Sequence, residues 1–292
     1  MRHEINIEDE GILAGLVRDR GMDAEVLSAF KELVYGYYER HGRALPWRNE
    51  ALTPYHVLVS EIMLQQTQAD RVAKKFGEFI RAFPDICTLA LAPLEQLLGM
   101  WQGLGYNRRA LALRKTACII VERHCGIVPD NVDDLAALPG IGRATASSIL
   151  AFAYNKPVVF IETNIRTVFI HLFFSDRADV SDKEILPLAE CALDRENPQR
   201  WYNALMDYGV MLKSRYGNPS RRSTHYKKQP AFNGSHRQTR GAILRAVLGN
   251  SGITVPALTT LLGFDSHAVH SVLEELVEEE FIRSNDDRLF IK

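Results

Sequence analysis

The chain has 292 residues, 46% of them apolar, and a formal net charge of −1, the balance of a globular protein with one large domain, or one large and one small. No run of about 18 apolar residues is present, so no membrane-spanning helix is expected, and the opening MRHEINIEDEGILAGL carries acids among its apolar residues, unlike a secretory signal. Cys87, Cys118, Cys125 and Cys191 are scattered without a C-x-x-C pair, which points away from a disulfide framework or zinc site and toward a reducing cytoplasm.

Residues 1–23 read as an N-terminal arm. Apolar positions at helical spacing then predict helices at 24–41, 55–79, 93–100 and 108–124, the last two separated by the turn QGLGYN. Helices at 132–138 and 143–154 flank the turn PGIG, and further helices follow at 164–174, 183–194 and 198–212. Residues 217–235, rich in Gly, Pro, Ser, Arg and Lys, read as a basic linker. Beyond it, helices at 239–249, 255–262 and 266–279 and a short hairpin over 281–291 make a winged-helix-like unit spanning 236–292, with a small interaction or lid domain as the other reading. Five glutamates, Glu274, Glu275, Glu278, Glu279 and Glu280, crowd the end of its third helix and argue against inserting that end in a DNA groove.

Charge is unevenly spread. No acid occurs from Tyr208 to Phe264, a stretch holding Lys213, Arg215, Arg221, Arg222, Lys227, Lys228, Arg237, Arg240 and Arg245. A second acid-free stretch, Gln96 to Val121, holds Arg108, Arg109, Arg114 and Lys115. Such gathering suits a phosphate backbone, or a solvated basic loop balanced by acids folded nearby.

Three segments carry chemistry. In LPGIGRATA (138–146), Gly140 and Gly142 permit a sharp turn directly before a helix, whose N–H groups suit a phosphate oxygen; any tight helix–helix turn could use the same pair. In VLVSEIMLQQTQ (57–68), Val57, Leu58, Glu61 and Leu64 share one helix face, so Glu61 sits where apolar residues belong. Burial would favour its protonated form and make it a proton donor, unless it is a structural glutamate paired with an arginine or backbone group. In VVFIETNIR (158–166), Glu162 stands at a helix entry, where the macrodipole favours the anion; an ordinary helix-start acid reads the same way. One carboxyl biased to the acid and one to the anion is the pairing that cleaves glycosidic bonds through an oxocarbenium-like state.

Together with LPW (45–47), TPY (53–55), WQGLGY (101–106) and DYG (207–209), these segments resemble the adenine DNA glycosylase family (MutY-type) of the helix-hairpin-helix superfamily, over about residues 42–212. The resemblance implies an all-α, two-lobed helix-hairpin-helix glycosylase fold over residues 24–216. It implies Glu61 as the acid that protonates adenine N7 and Glu162 as the carboxylate that stabilises the oxocarbenium ion. Gln66 would enter the base stack with Gln65 and Thr67 beside it on DNA, Tyr106 would wedge beside an opposing 8-oxoguanine, and Gly140, Gly142 and the neighbouring N–H groups of Arg143, Ala144 and Thr145 would clamp a phosphate. Arg108, Arg109, Arg215, Arg221 and Arg222 complete the expected DNA surface.

Four departures shape the expectation. Glu162 stands where the family has aspartate, shifting the carboxylate by roughly an ångström, a scale on which positioning costs about a hundredfold in rate. Ala144 replaces the lysine of the related endonuclease III enzymes, so no Schiff base and no strand-cleaving lyase are expected. The four cysteines of an iron–sulfur cluster correspond to Lys213, Ser220, Ser223 and Gln229, so a clusterless member is expected, with no cofactor beyond a structural monovalent cation at the hairpin. The family's Nudix-like C-terminal domain has no counterpart in the residues after 235.

The expected activity is therefore monofunctional hydrolysis of the N-glycosidic bond of a flipped base, adenine opposite guanine or 8-oxoguanine, by a cytoplasmic, nucleoid-associated monomer acting on double-stranded DNA with a mispair or lesion. The alternatives are a thymine or uracil mismatch glycosylase of the same fold and a non-catalytic lesion- or DNA-structure-binding protein.

Overall fold

The structure, a computed structural model, describes residues 11, 13, 15–17, 20–49 and 53–292. The chain divides into two compact units: residues 1–57, 130–137 and 141–227 form one, and residues 58–129, 138–140 and 228–292 the other. Most of the expected N-terminal arm lies outside the described residues. Those described before residue 18 are helical, and Leu13 is buried in the first unit's core.

In the first unit the helix Ala24–His41 starts on Asp23, whose carboxylate accepts from Val26 N at 2.9 Å. Thr163–Phe173 is the central helix: Ile165, Val168, Phe169 and Leu172 are buried, and it lies along Pro198–Tyr216. Phe30 meets Phe169, Phe173 and Trp201 edge-on with ring centroids 5.2–5.6 Å apart, contacts worth about 0.5–1.5 kcal/mol each beyond area burial. A buried ion cluster fastens the LPW and DYG segments together. Asp207, 1% exposed, accepts from Arg43 Nε at 2.7 Å and from Arg48 Nη1 and Nη2 at 2.7 and 2.9 Å.

In the second unit, helices Ala69–Ala82, Ile86–Ala90, Leu94–Trp101 and Arg108–Arg123 enclose Phe76, Phe79, Phe83, Trp101, Leu113 and Ile120. The C-terminal segment belongs to this unit. Its order is helix His236–Gly249, strand Ile253–Thr254, helices Val255–Leu262 and Ser266–Glu278, then strands Ile282–Asn285 and Arg288–Ile291. The last strand lies in the middle of a three-stranded antiparallel sheet, with Ile282 opposite Ile291 and Asn285 opposite Arg288. Asp286 and Asp287, at φ 48° and 61°, form the tight left-handed turn such a hairpin needs. Ile243, Leu244 and Val247 are buried on the helix His236–Gly249 and Val269, Val272 and Leu276 on Ser266–Glu278, and the two helices pack together.

Two expectations are corrected. The helix read over 55–79 is two helices, Pro54–Leu64 and Ala69–Ala82, parted by a turn in which Gln66 has φ 55°. The apolar period runs through the break, so pattern alone does not reveal it. The linker read over 217–235 is packed at its start: Pro219–Arg222 is a 3-10 turn with Pro219 and Ser220 buried, and the neighbouring Ser223 bridges Val180. The five-residue helix Ile86–Ala90 and the two-residue strand Ile253–Thr254 are too short to leave a periodic signal.

Candidate active site

The helix Thr163–Phe173 is capped by its own candidate catalytic group. Glu162 Oε1 accepts from Asn164 N at 2.5 Å and from Ile165 N at 3.0 Å, so two of the donors that a helix start leaves unpaired hold the carboxylate. Asn164 Nδ2 reaches Glu162 Oε2 at 3.4 Å, and Lys213 Nζ donates to Asn164 Oδ1 at 2.6 Å. Arg166, one turn on, is spent on Asp182, with both bonds 2.7 Å. The close fit depends on Gly209: a Cβ there would lie 2.4 Å from Asn164 O. Lys213, four residues further along the same helix, then reaches Asn164.

Burial pushes the Glu162 carboxyl above the ordinary glutamate range, against the opposing pull of Lys213, the two N–H groups and Arg166. This corrects the expectation that the helix start alone biases Glu162 to the anion: the dipole and N–H bonds are present, but loss of water outweighs them. Burial likewise lowers the Lys213 ammonium, while Glu162 raises it.

Glu61 lies near the end of Pro54–Leu64, a helix wrapped on most sides: Leu58, Val59, Ser60, Ile62 and Met63 are each at most 1% exposed. Glu61 itself is half-buried, as is Leu64. It therefore lies at the rim of the apolar surface and not within it, because the helix buries nearly every other side.

The turn after this helix is held by Arg109. Its Nη1 donates to the carbonyls of Ile62, Met63 and Gln65 at 2.9, 2.8 and 2.5 Å, and its Nη2 to Thr67 Oγ1, Leu104 O and Gly105 O at 2.9, 3.2 and 2.9 Å. One guanidinium thus satisfies the helix's last carbonyls and joins the LQQT turn to QGLGY. Burial lowers its pKa to about 10. Arg109, expected on DNA, instead braces the site from inside. Arg222 is turned inward too, donating to the carbonyls of Ile170, Phe174 and Ser175 at 3.2, 2.9 and 2.5 Å. Arg108 forms a two-pronged pair with Glu279. Arg215 and Arg221 are exposed, and Arg143 faces Asp133 at 3.0 Å on the surface. Gln66 is exposed and Gln65, Thr67 and Tyr106 half-buried; Tyr106, like Gln66, is held at positive φ, 49°.

In the hairpin, Gly140 has φ 77°, and a Cβ there would lie 2.9 Å from Ala112 Cβ, so both conformation and space require glycine. Gln65 Nε2 donates to Gly140 O at 3.1 Å and Thr116 Oγ1 to Pro139 O at 3.0 Å. Those carbonyls already hold donors, which competes with the cation expected there. The helix Arg143–Tyr154 has Gly142 as its N-cap and no side-chain cap; Gly142, Arg143 and Ala144 are exposed and Thr145 half-buried. The N–H groups of a helix start suit an anion.

The four positions that would hold an iron–sulfur cluster do not fit one: an amine, two hydroxyls and an amide cannot replace thiolates. Lys213 is bound to Asn164, Ser220 Oγ donates to Asn218 Oδ1 at 2.6 Å, and Ser223 Oγ accepts from His225 N at 3.1 Å. Among the described residues no group of three or more His, Cys, Asp or Glu is placed to hold a metal, and no helix is long and apolar enough to cross a membrane.

Residues 59–189 match the family described as HhH-GPD superfamily base excision DNA repair protein. The chain is 35% identical over 188 residues to an adenine DNA glycosylase of Buchnera aphidicola, covering 63% of this chain and 52% of that protein. It is 41% identical over 132 residues to one from Mycobacterium tuberculosis (45% and 43% covered), and 30% over 201 residues to one from Homo sapiens (65% and 37%). The chain thus spans about half the length, or less, of the curated relatives it matches. In fold it resembles a thermostable thymine-DNA glycosylase, with a TM-score of 0.56 at 22% identity, covering 68% of this chain and 96% of that one.

Proposed function

We propose that the chain, whose residues 59–189 match the family described as HhH-GPD superfamily base excision DNA repair protein, is a monofunctional DNA N-glycosylase that releases adenine mispaired with guanine or 8-oxoguanine. The observation that carries this reading is the Glu162 carboxylate, fixed by two N–H groups and backed through Asn164 by Lys213. A carboxylate held this rigidly can stabilise a positive sugar without reorganising as charge develops.

In the proposed reaction the target nucleotide leaves the base stack while the hairpin and the helix start at Arg143 hold backbone phosphate. Glu61, as the neutral acid, gives its proton to adenine N7. The C1′–N9 bond breaks, its electron pair leaving with the base. Glu162 stabilises the oxocarbenium ion, water adds at C1′, and its proton passes to a carboxylate, which balances the hydrolysis. Ala144 offers no amine for a Schiff base, so the strand stays intact until treated with alkali.

The test uses Glu61→Gln on duplexes with A:G, A:8-oxoG, T:G and U:G mispairs. The wild-type chain is expected to leave alkali-labile sites at adenine, and the variant to bind the same duplex without leaving them. Release at the wild-type rate by the variant would overturn the role of Glu61. Release of thymine or uracil in place of adenine would reassign the base, and binding without release by the wild-type chain would make it a lesion-binding protein.

A further inference from the structure

The five glutamates at and just beyond the end of the helix Ser266–Glu278 are not equivalent. Glu274 and Glu278 are exposed and hold no ion pair among the described residues. Glu275, Glu279 and Glu280 each bridge two basic side chains. Glu275 takes His236 at 2.9 Å and Arg240 at 3.6 Å. Glu279 takes Arg240 and, with both carboxylate oxygens, Arg108. Glu280 takes Lys292 at 2.5 Å and Lys115 at 3.6 Å.

In the bridges of Glu279 and Glu280 the two partners differ in kind. One belongs to the C-terminal segment itself. Arg240 is only 12% exposed, with its guanidinium 5.2 Å from the Phe281 ring centroid, and Lys292 is tied by its backbone N–H to Phe281 O at 3.1 Å. The other partner comes from the helix Arg108–Arg123. Arg108 and Lys115 are 68% and 53% exposed. Seven residues apart, they share one helix face, in a stretch that has no acid of its own from Gln96 to Val121. Exposed ion pairs of this kind are weak. The Arg108 fork on two carboxylate oxygens is also the geometry with which arginine holds phosphate. With Arg108 and Arg240 beside it, the Glu279 carboxyl is held below the ordinary glutamate range, so it is an anion at neutral pH.

We propose that Glu279 and Glu280 stand in for DNA phosphate: in the free chain they occupy Arg108 and Lys115, and when duplex binds they yield both cations to its backbone. This rests on the glycosylase reading for the presence of duplex DNA, not for the chemistry of base release. The exchange strands no carboxylate, because Glu279 keeps Arg240 and Glu280 keeps Lys292. Each of the two phosphate contacts must first replace an internal one, so part of the attraction between these cations and the duplex is cancelled in advance. The C-terminal segment thereby tempers the grip on undamaged DNA, the sequence-independent term that lets a protein slide and hop between sites. A crowd of acids beside a basic surface, which repels DNA if it only faces solvent, then has a use.

The test measures binding of the full chain to an undamaged duplex by fluorescence anisotropy, alongside adenine release from A:G duplexes. Glu279→Gln is expected to bind about three- to fivefold tighter than Glu278→Gln, the range of one exposed ion pair. Glu278→Gln removes the same charge from the same region without freeing a cation, so it sets the baseline. Arg108→Ala should weaken binding, and adding Glu279→Gln to it should bring no gain beyond that baseline. Glu280→Gln should tighten binding in the same sense, with the gain lost in Lys115→Ala, and this pair decides the matter should Glu279→Gln melt early by circular dichroism. A folded Glu279→Gln that binds no tighter than Glu278→Gln, or a gain that survives Arg108→Ala, overturns the proposal. The expected binding pattern without adenine release leaves the charge exchange standing and overturns the catalytic reading instead.

Discussion

Lys213 shows how one side chain sets the chemistry of another. Its ammonium reaches Asn164 and opposes the burial that raises the Glu162 carboxyl. A carboxylate is lost as pH falls through its pKa, so a raised pKa moves the acid limb of activity above the ordinary glutamate range. Replacing Lys213 with Met removes a cation that pulls this pKa down. The acid limb of the single-turnover rate should then move further up in pH, while Lys213→Arg restores it. An unmoved limb in Lys213→Met would show that the ammonium does not act on Glu162. Gly209 works by absence. With its added Cβ 2.4 Å from a backbone oxygen, Gly209→Ala should destabilise by about 1–3 kcal/mol, the usual cost of overpacking. Urea unfolding measures this, and base release should fall more than stability does, because the displaced residue is the one that holds Glu162.

At the scale of elements, two ion-dipole devices decide where segments stop and join. Arg109 ends the helix Pro54–Leu64 by taking its last carbonyls and those of two turns. Arg109→Ala leaves them without that donor, at about 1–3 kcal/mol for a polar group stranded in the interior. The expected result is a lower melting temperature and loss of base release, because both Nη atoms of this arginine are spent on the turns. Asp207 joins the segment around Arg43–Arg48 to the helix Pro198–Tyr216. Burial alone would raise its carboxyl, but Arg48 and Arg43 more than offset that and hold it below the ordinary aspartate range. Its stabilisation is complete above the ordinary aspartate range and is lost as pH falls through the depressed value. Asp207→Asn, which leaves two half-buried arginines without their counter-charge, should cost about 3 kcal/mol at neutral pH, the lower end for a broken buried pair, and urea unfolding at falling pH should show the gap to wild type closing.

For the whole molecule the net charge says little and the placement of charge much. Of the arginines in the acid-free stretches, Arg109 and Arg222 are turned into the protein, whereas Arg215 and Arg221 are exposed. Arg221→Ala should therefore weaken duplex binding evenly across sequences and lower the slope of log affinity against log salt by about 0.9, the share of one phosphate contact. Arg222→Ala should act through stability and leave the slope unchanged. Equal slopes for wild type and Arg221→Ala would remove Arg221 from the DNA surface.

Most of the helices, the hairpin turn and the C-terminal strand pair are legible in the sequence, because amphipathic period, caps and turn residues act within a few residues of one another. Glu61 and Glu162 stand out for the same local reason, each being an acid at the edge of an apolar run. What only the tertiary structure decides depends on residues far apart in the chain: the break after Leu64 needs Arg109, the fit around Glu162 needs Gly209 and Lys213, and the pairing of Arg108 needs Glu279. Likewise, whether an arginine faces solvent or a row of carbonyls follows from how the backbone is folded around it, and composition carries no record of that.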